Sequence, residues 1–384
     1  MNGFDVCVRG RGAVGLSLAL DLSRRGLRVA LVGEPMLVGA RAGARADVRT
    51  YALNAASIEL LARLKVWDAL RATPGAATRV IDMQVRGDGE GELAFSAWQQ
   101  GVAELAWIVD AAALERELEQ AVRFAPHVDS VEAEVAAPLL ALCEGKDSTT
   151  RAALGIEVER HDYGQTAIAA RLVCERPHQG VARQWFRAPD VLALLPFDGA
   201  DGQPGYGLVW SLPTERAQAL MAADAPSFEA ELNAAVGSES AAAGTLRLAG
   251  ERAAWPLRLA RARRWFGRLP GHAERAWVLL GDAAHVVHPL AGQGLNLGLA
   301  DAAALARVLG EREAWRPLSD ERLLARYARE RAGPTWAMGR MTDGLVHLFA
   351  RPGGMLQELR NRGLTLVNHA APLKRWLAGR ALRG

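Results

Sequence analysis

Gly10-Arg11-Gly12-Ala13-Val14-Gly15 is the stretch on which the fold turns. It follows a short apolar run, Phe4-Asp5-Val6-Cys7-Val8, and precedes apolar positions Val14, Leu18 and Leu22 at helical spacing. Gly26 stops that helix, and Val29-Ala30-Leu31-Val32 reads as a second buried strand. Strand, glycine turn, helix and strand make a βαβ unit, with parallel strands and a right-handed crossover. Glu34 closes it, 19 residues after Gly15. In this setting the glycines read as a dinucleotide fingerprint. Gly10 permits the tight turn, Gly12 lets the backbone approach a pyrophosphate, and Gly15 lets helix and strand pack closely. Ala13 and Val14 open the helix whose N-terminus faces the phosphates, and Glu34 accepts from ribose hydroxyls. The motif by itself does not separate NAD from FAD.

The chain has 384 residues, enough for two interlocked domains and a helical tail. Half its residues are hydrophobic, 23% are charged and the net charge is +3, the profile of a globular chain and a poor one for a nucleic-acid binder. Cys7, Cys143 and Cys174 lie far apart among apolar residues, so neither a disulfide framework nor a metal site is expected. His285 and His288 lack an acid or cysteine at ligand spacing, which also argues against a metal. The N-terminal apolar run is too short for a signal peptide, and no stretch approaches the roughly 18 apolar residues of a spanning helix. A cytoplasmic location is the expectation.

Farther along, residues 52–70 read as a helix through Ile58, Leu61 and Leu64. Period two appears over 79–98 around the turn Gly87-Asp88-Gly89, and Asp110 to Val122 returns to helix. Runs at 166–174, 181–186, 191–197 and 206–212 read as strands, Trp277 to Leu280 as one more, with helices beyond. This predicts an α/β fold: a discontinuous Rossmann-like nucleotide domain (1–78, 100–163 and 271–325), an inserted mixed or antiparallel β-sheet domain for substrate (79–99 and 164–270), and a helical C-terminal region (326–384). Leu194, Pro196 and Trp210 are candidate substrate residues, since the apolar sheet suits an apolar ligand as well as it suits an ordinary core.

A second constellation comprises Leu279-Leu280-Gly281-Asp282-Ala283-Ala284-His285, His288-Pro289-Leu290-Ala291-Gly292-Gln293-Gly294-Leu295-Asn296, and Asp301. Asp282 at a strand end can accept from ribitol hydroxyls, and the glycine-rich turn aims free N–H groups at an anion. The wording resembles the second FAD signature of the single-component flavin aromatic hydroxylases. With Asp162-Tyr163-Gly164-Gln165, Glu175-Arg176-Pro177-His178, Leu192 to Pro196 and Asp47-Val48-Arg49, it is similar to their ubiquinone-biosynthesis hydroxylase group over nearly the whole chain.

The resemblance implies an aromatic hydroxylase-type fold and an FAD-dependent monooxygenase that hydroxylates the ring of a polyprenylated phenol with NAD(P)H and O₂, through a C4a-hydroperoxyflavin. It implies flavin contacts at Gly281, Asp282, Gly292, Gly294, Leu295 and Asn296, with Gly292, Gln293 and Gly294 as backbone donors. Pro289 would stand over the reaction face, His288 would line the active site, and Arg49 would hold the isoalloxazine or pyrophosphate side. The family's middle motif appears as Glu144-Gly145-Lys146-Asp147-Ser148-Thr149-Thr150-Arg151, with Glu for Asp; it keeps an FAD contact at Glu144 and Gly145. Val122 to Leu140 is shorter than the family's hairpin, and Arg9 replaces an apolar residue.

Two other readings stay open. One is a hydroxylase of a small soluble aromatic, with Arg171 or Arg183 as its carboxylate partner; the other is a flavoprotein scaffold in a quinone-biosynthesis assembly. The stretch Arg351 to Gly384 carries seven cationic side chains against Glu358, with leucines interleaved. It could dock on a membrane or a partner protein, or cap the enzyme's own core.

Overall fold

The computed structural model describes residues 3–34, 47–87, 91–237, 243–287 and 293–350, excluding the side chains of Gln293, Met338 and most of 341–350. Among them are three sheets. The first has the order Phe266–Leu269, His272–Leu279, Leu139–Leu142, Val6–Arg9, Val29–Val32, Val128–Val131. Every pairing in it is parallel except the edge pair Phe266–Leu269 with His272–Leu279. Val29–Val32 and Leu139–Leu142 are buried at all four positions, which is why they read as unbroken apolar runs: helices cover both faces. Helix Ala13–Arg24 packs against helix Gln293–Gly310, so it is buried nearly all round.

The second sheet has the order His285–Val286, Leu246–Ala262, Val158–Cys174, Gly205–Pro213, Asp190–Pro196, Val181–Arg187, Asp82–Arg86, Glu92–Ser96. It is antiparallel but for Val181–Arg187 with Asp82–Arg86. Helices Thr214–Ala222 and Ala225–Val236 cover one face. Its two 17-residue strands bulge between Asp162 and Thr166, where Gly164 takes φ +65°. Leu246–Ala262 pairs at its far end with His285–Val286, carrying this sheet up to the second glycine-rich motif. A third sheet joins Thr50–Leu53, Ala106–Asp110 and Ala77–Val80.

Three expectations move. Residues 52–70 are not one helix: Thr50–Leu53 is a strand, Asn54 caps helix Ala55–Arg63 by accepting from the Ser57 N–H, and a new helix, Trp67–Ala72, follows Lys65 at φ 61°. Residues 158–163 join the eight-stranded sheet and 266–269 the six-stranded one, reversing the assignment of both segments. Strand Val158–Cys174 runs through the boundary read at 164 because the Gly164 turn signal is a bulge inside one strand, and Phe266–Leu269 forms a hairpin with His272–Leu279 at the edge of the six-stranded sheet. The region 351–384, with the docking expectation attached to it, lies outside the described residues.

Candidate active site

Strands Val6–Arg9, Leu139–Leu142 and His272–Leu279 are neighbours and parallel, so the loops after them emerge side by side. Those loops line one end of a cavity of about 1060 Å³, whose other end is the uncovered face of the eight-stranded sheet.

In the first loop the three glycines have three different reasons. A Cβ on Gly10 would lie 2.3 Å from the Cys143 carbonyl oxygen, and one on Gly15 would lie 2.0 Å from that of Gly10. A Cβ on Gly12 would meet no atom within 4 Å; Gly12 lines the cavity with Ala13 and Val14. Arg11 turns away and binds Glu119 through two nitrogens, at 2.9 and 2.6 Å. Glu34 is exposed at the strand end, and the twelve residues after it are outside the description.

The second loop explains two departures from the family pattern. Glu144 accepts from the Ser148 hydroxyl (2.5 Å), the Thr150 hydroxyl (2.9 Å) and the Thr150 N–H (3.3 Å), tying down the start of helix Thr149–Ala153. It also pairs with Arg9 at 3.2 Å, while Arg9 reaches Glu134 at 3.0 Å. The longer acid and the unexpected arginine are thus two ends of one ion pair. Arg151 is buried and donates to the carbonyls of Ala283 (2.8 Å) and Lys146 (2.6 Å), binding the second loop to the third.

In the third loop, Gly281–Ala283 forms a single 3₁₀ turn. The Asp282 carboxylate is open to the cavity, yet the surrounding protein raises its pKa; His285, Lys146 and Arg49 pull the other way. The turn rests on buried Asp301, which accepts from the Gly281 N–H (3.0 Å), His285 (2.6 Å) and Arg331 (2.8 Å). Burial opposes ionisation of Asp301, but His285 and Arg331 outweigh it and hold the carboxyl below its usual range. His285 stacks on Trp265 with centroids 5.2 Å apart.

Helix Gln293–Gly310 points its N-terminus at the cavity, where Gly294 and Leu295 form part of the wall. A Cβ on Gly294 would also meet nothing within 4 Å. The Asn296 side chain is spent inside the protein: it accepts from the Asn54 N–H (3.0 Å) and Ser57 hydroxyl (2.7 Å) and donates to the Ala52 carbonyl (2.8 Å). His288, Pro289 and Gly292 lie outside the described residues, as does the Gln293 side chain.

Arg49 grips the Asp47 carboxylate with Nε (2.9 and 3.1 Å) and Nη2 (2.6 Å) and lies 5.7 Å from the Tyr51 ring centroid. Burial pushes the Tyr51 phenol up to about 12 against the pull of Arg49, so it stays a neutral group on the cavity wall.

On the sheet face, Ala169, Val209, Ala193 and Gln184 form one cross-strand row, and all four line the cavity. Leu194 and Trp210 point to the opposite face, where Trp210 packs 6.2 Å from Phe228 beneath the helices. Pro196, paired with Tyr206, turns there too. These three substrate candidates are therefore corrected by one residue: successive side chains alternate between faces, and the most apolar ones belong to the helix-covered core. Arg171 is held by Asp110 at 2.5 Å, and Arg183 by the Tyr206 hydroxyl at 2.6 Å; neither lines the cavity. Tyr51, Glu115, Lys146, Gln184, Leu195 and Val209 do line it and went unnoticed. For the last three, the phase of alternation about Leu192 and Leu194 was the available signal.

The cavity thus has a polar end, with open backbone at Gly12 and Gly294 and an acceptor at Asp282, and an apolar end where alanines of the sheet face larger side chains such as Met83, Phe95 and Leu105. This donor and acceptor set fits an extended dinucleotide with a ring system at the junction. A family model described as an FAD binding domain matches residues 88–342. The chain is 30% identical to ubiquinone hydroxylase UbiL of Rhodospirillum rubrum, over 97% of this chain and 87% of that protein. It is also 30% identical to the 3-demethoxyubiquinol 3-hydroxylase of Escherichia coli, over 97% and 96% of the two chains. In fold it is similar to PqsL of Pseudomonas aeruginosa, a probable FAD-dependent monooxygenase, with TM-score 0.71, 24% identity and coverage of 95% and 100%.

Proposed function

Since the chain belongs to the FAD-binding monooxygenase family that includes the ubiquinone hydroxylases, we propose that it hydroxylates the ring of a polyprenylated phenol in ubiquinone biosynthesis. The observation that carries this reading is the continuity of one cavity from the glycine turns to the alanine-rich sheet face. FAD supplies the redox chemistry, taking electrons from NAD(P)H and activating O₂.

The chain's own residues bind, orient and keep the site dry. Gly10 and Gly15 shape the first turn, and Gly12, Ala13 and Val14 form the pyrophosphate cradle. Glu34 and Asp282 accept from the two sugar chains, while Gly145 and Glu144 shape the second loop. The first-turn N–H groups of helix Gln293–Gly310 would hold the anionic side of a bound flavin ring. Arg49, fixed by Asp47, adds a positive charge beside it. Gly292, Pro289 and His288 keep the family's roles in this reading, and the six- and eight-stranded sheets divide the work between cofactor and substrate.

From strands Val181–Arg187, Asp190–Pro196 and Gly205–Pro213, Gln184 is the polar residue that lines the cavity, among Ala182, Ala193, Leu195 and Val209. We assign it to a ring oxygen of the substrate. Arg171 and Arg183 are occupied elsewhere and do not line the cavity, and the apolar row of Ala182, Ala193, Leu195 and Val209 favours a lipophilic phenol over a small aromatic acid, with Arg160 and Arg258 standing apart from that row on the two long strands. Such a substrate comes from a bilayer or a carrier protein. We place the enzyme in the cytoplasm at such a surface; no helix among the described residues is long and apolar enough to cross a membrane.

The test is to supply FAD-loaded protein with NAD(P)H and a prenylated phenol and analyse the product by mass spectrometry. Gain of one oxygen atom on the ring is expected. Phenol-stimulated NAD(P)H oxidation that yields only peroxide, with the ring unchanged, would overturn the reading.

A further inference from the structure

Away from the cavity, three apolar side chains stand together in solvent: Trp98 is 86% exposed, Val102 41% and Ile81 38%. Trp98 sits on the single turn Ala97–Gln100 that follows the edge strand Glu92–Ser96. Backbone hydrogen bonds fix the group: the Ala97 N–H donates to the Ile81 carbonyl (2.8 Å) and the Val102 N–H to that of Ala97 (3.1 Å). The Leu105 N–H donates to the Val80 carbonyl (2.7 Å), and Val80 and Leu105 line the cavity, as do Met83 and Phe95. The exposed trio is therefore the outside of a wall whose inside is apolar cavity surface. From Ala97 to Val102 the sequence Ala-Trp-Gln-Gln-Gly-Val carries no charge. An exposed indole in an uncharged, amide-bearing turn matches the headgroup boundary of a bilayer, which accepts the ring's apolar body and its N–H together.

We propose that Ile81, Trp98 and Val102 dock the protein on a lipid bilayer and bring the adjoining cavity wall to the membrane. A lipophilic substrate then passes from bilayer to cavity with little exposure to water; that part rests on the polyprenyl-phenol reading above. The docking is apolar and differs from any charge attraction by the basic stretch 351–384.

The experiment uses full-length, FAD-loaded protein and phosphatidylcholine vesicles in about 1 M salt, where the Debye length is about 3 Å and charge attraction is screened. The parent should co-sediment, and Trp98→Glu/Val102→Glu should bind at least about tenfold more weakly, equivalent to losing burial of one aromatic ring or more. Trp98→Gln, a milder change at the same exposed position, should fall between them. With catalysis as a second readout, the KM for a vesicle-borne long-chain phenol should rise in the variants while turnover of a short-chain, water-soluble phenol stays at the parent's value. Equal vesicle binding by parent and variants would overturn the docking, as would a parent that binds no neutral vesicle. A parent dimer that the variants dissolve would overturn it too, by assigning the patch to a second copy of the chain. Failure to hydroxylate the short-chain phenol counts against the substrate reading alone, since vesicle binding needs no turnover.

Discussion

Gly12 and Gly15 are three residues apart in one turn, and a side chain would do opposite things at the two. At Gly15 a Cβ collides with the Gly10 backbone, so Gly15→Val should fail to fold or lose much of its stability. At Gly12 the Cβ enters open cavity, so Gly12→Val should melt near the parent's temperature yet purify without yellow colour. A folded, fully yellow Gly12→Val protein would remove the pyrophosphate cradle from this turn. Asp282 makes its contribution through a carboxylate that faces the same cavity. Loss of one charge-assisted hydrogen bond costs about 1.5–3 kcal/mol, or roughly 10- to 150-fold in affinity. Titrating FAD into Asp282→Ala apoprotein should show a loss of that size; an unchanged affinity would take Asp282 out of the site.

Strand Asp190–Pro196 shows how an element divides its work by parity. Ala193 and Leu195 face the cavity, and Leu192 and Leu194 face the helices Thr214–Ala222 and Ala225–Val236. Leu194→Ala should lower unfolding free energy by about 2–5 kcal/mol through the cavity it leaves in a closed core, with KM little changed. Ala193→Phe should do the reverse, holding stability while raising KM for a long-chain phenol, because it fills space reserved for ligand. Urea titrations and steady-state kinetics on the pair would separate the two faces. Similar KM changes in both variants would mean the sheet does not carry the substrate wall.

At the scale of the molecule, Asp301 joins the flavin-motif turn to the two helices that follow it. Its carboxylate receives the Gly281 N–H, His285 and Arg331, which come from three separate elements. Its pKa is depressed in the folded state, so its stabilisation is complete above the ordinary carboxylate value of about 3.9 and is lost as pH falls through the lower folded value. Asp301→Asn leaves buried Arg331 without its counter-charge, which should cost about 3–5 kcal/mol at pH 7. Below the ordinary carboxylate range the gap between variant and parent should narrow. Urea unfolding of both proteins across that range would show it, and a gap that widens with acid would contradict the assignment.

The sequence by itself determined the βαβ unit, the tight turn at its glycines and the presence of a parallel and a largely antiparallel sheet. Each of these is written in local terms, such as a glycine that only a tight turn requires or an apolar run that only a doubly covered strand tolerates. Tertiary structure alone decided which face of the eight-stranded sheet meets the ligand, because two faces of one strand differ in sequence by a single residue of phase while the covering helices lie elsewhere in the chain. It alone decided that Asn296 works as an internal staple, since its partners Ala52, Asn54 and Ser57 are more than 230 residues away. The pairing of Arg9 with Glu144 was hidden for the same reason. Two residues that looked like separate anomalies 135 positions apart become one ion pair only when parallel strands set their ends side by side.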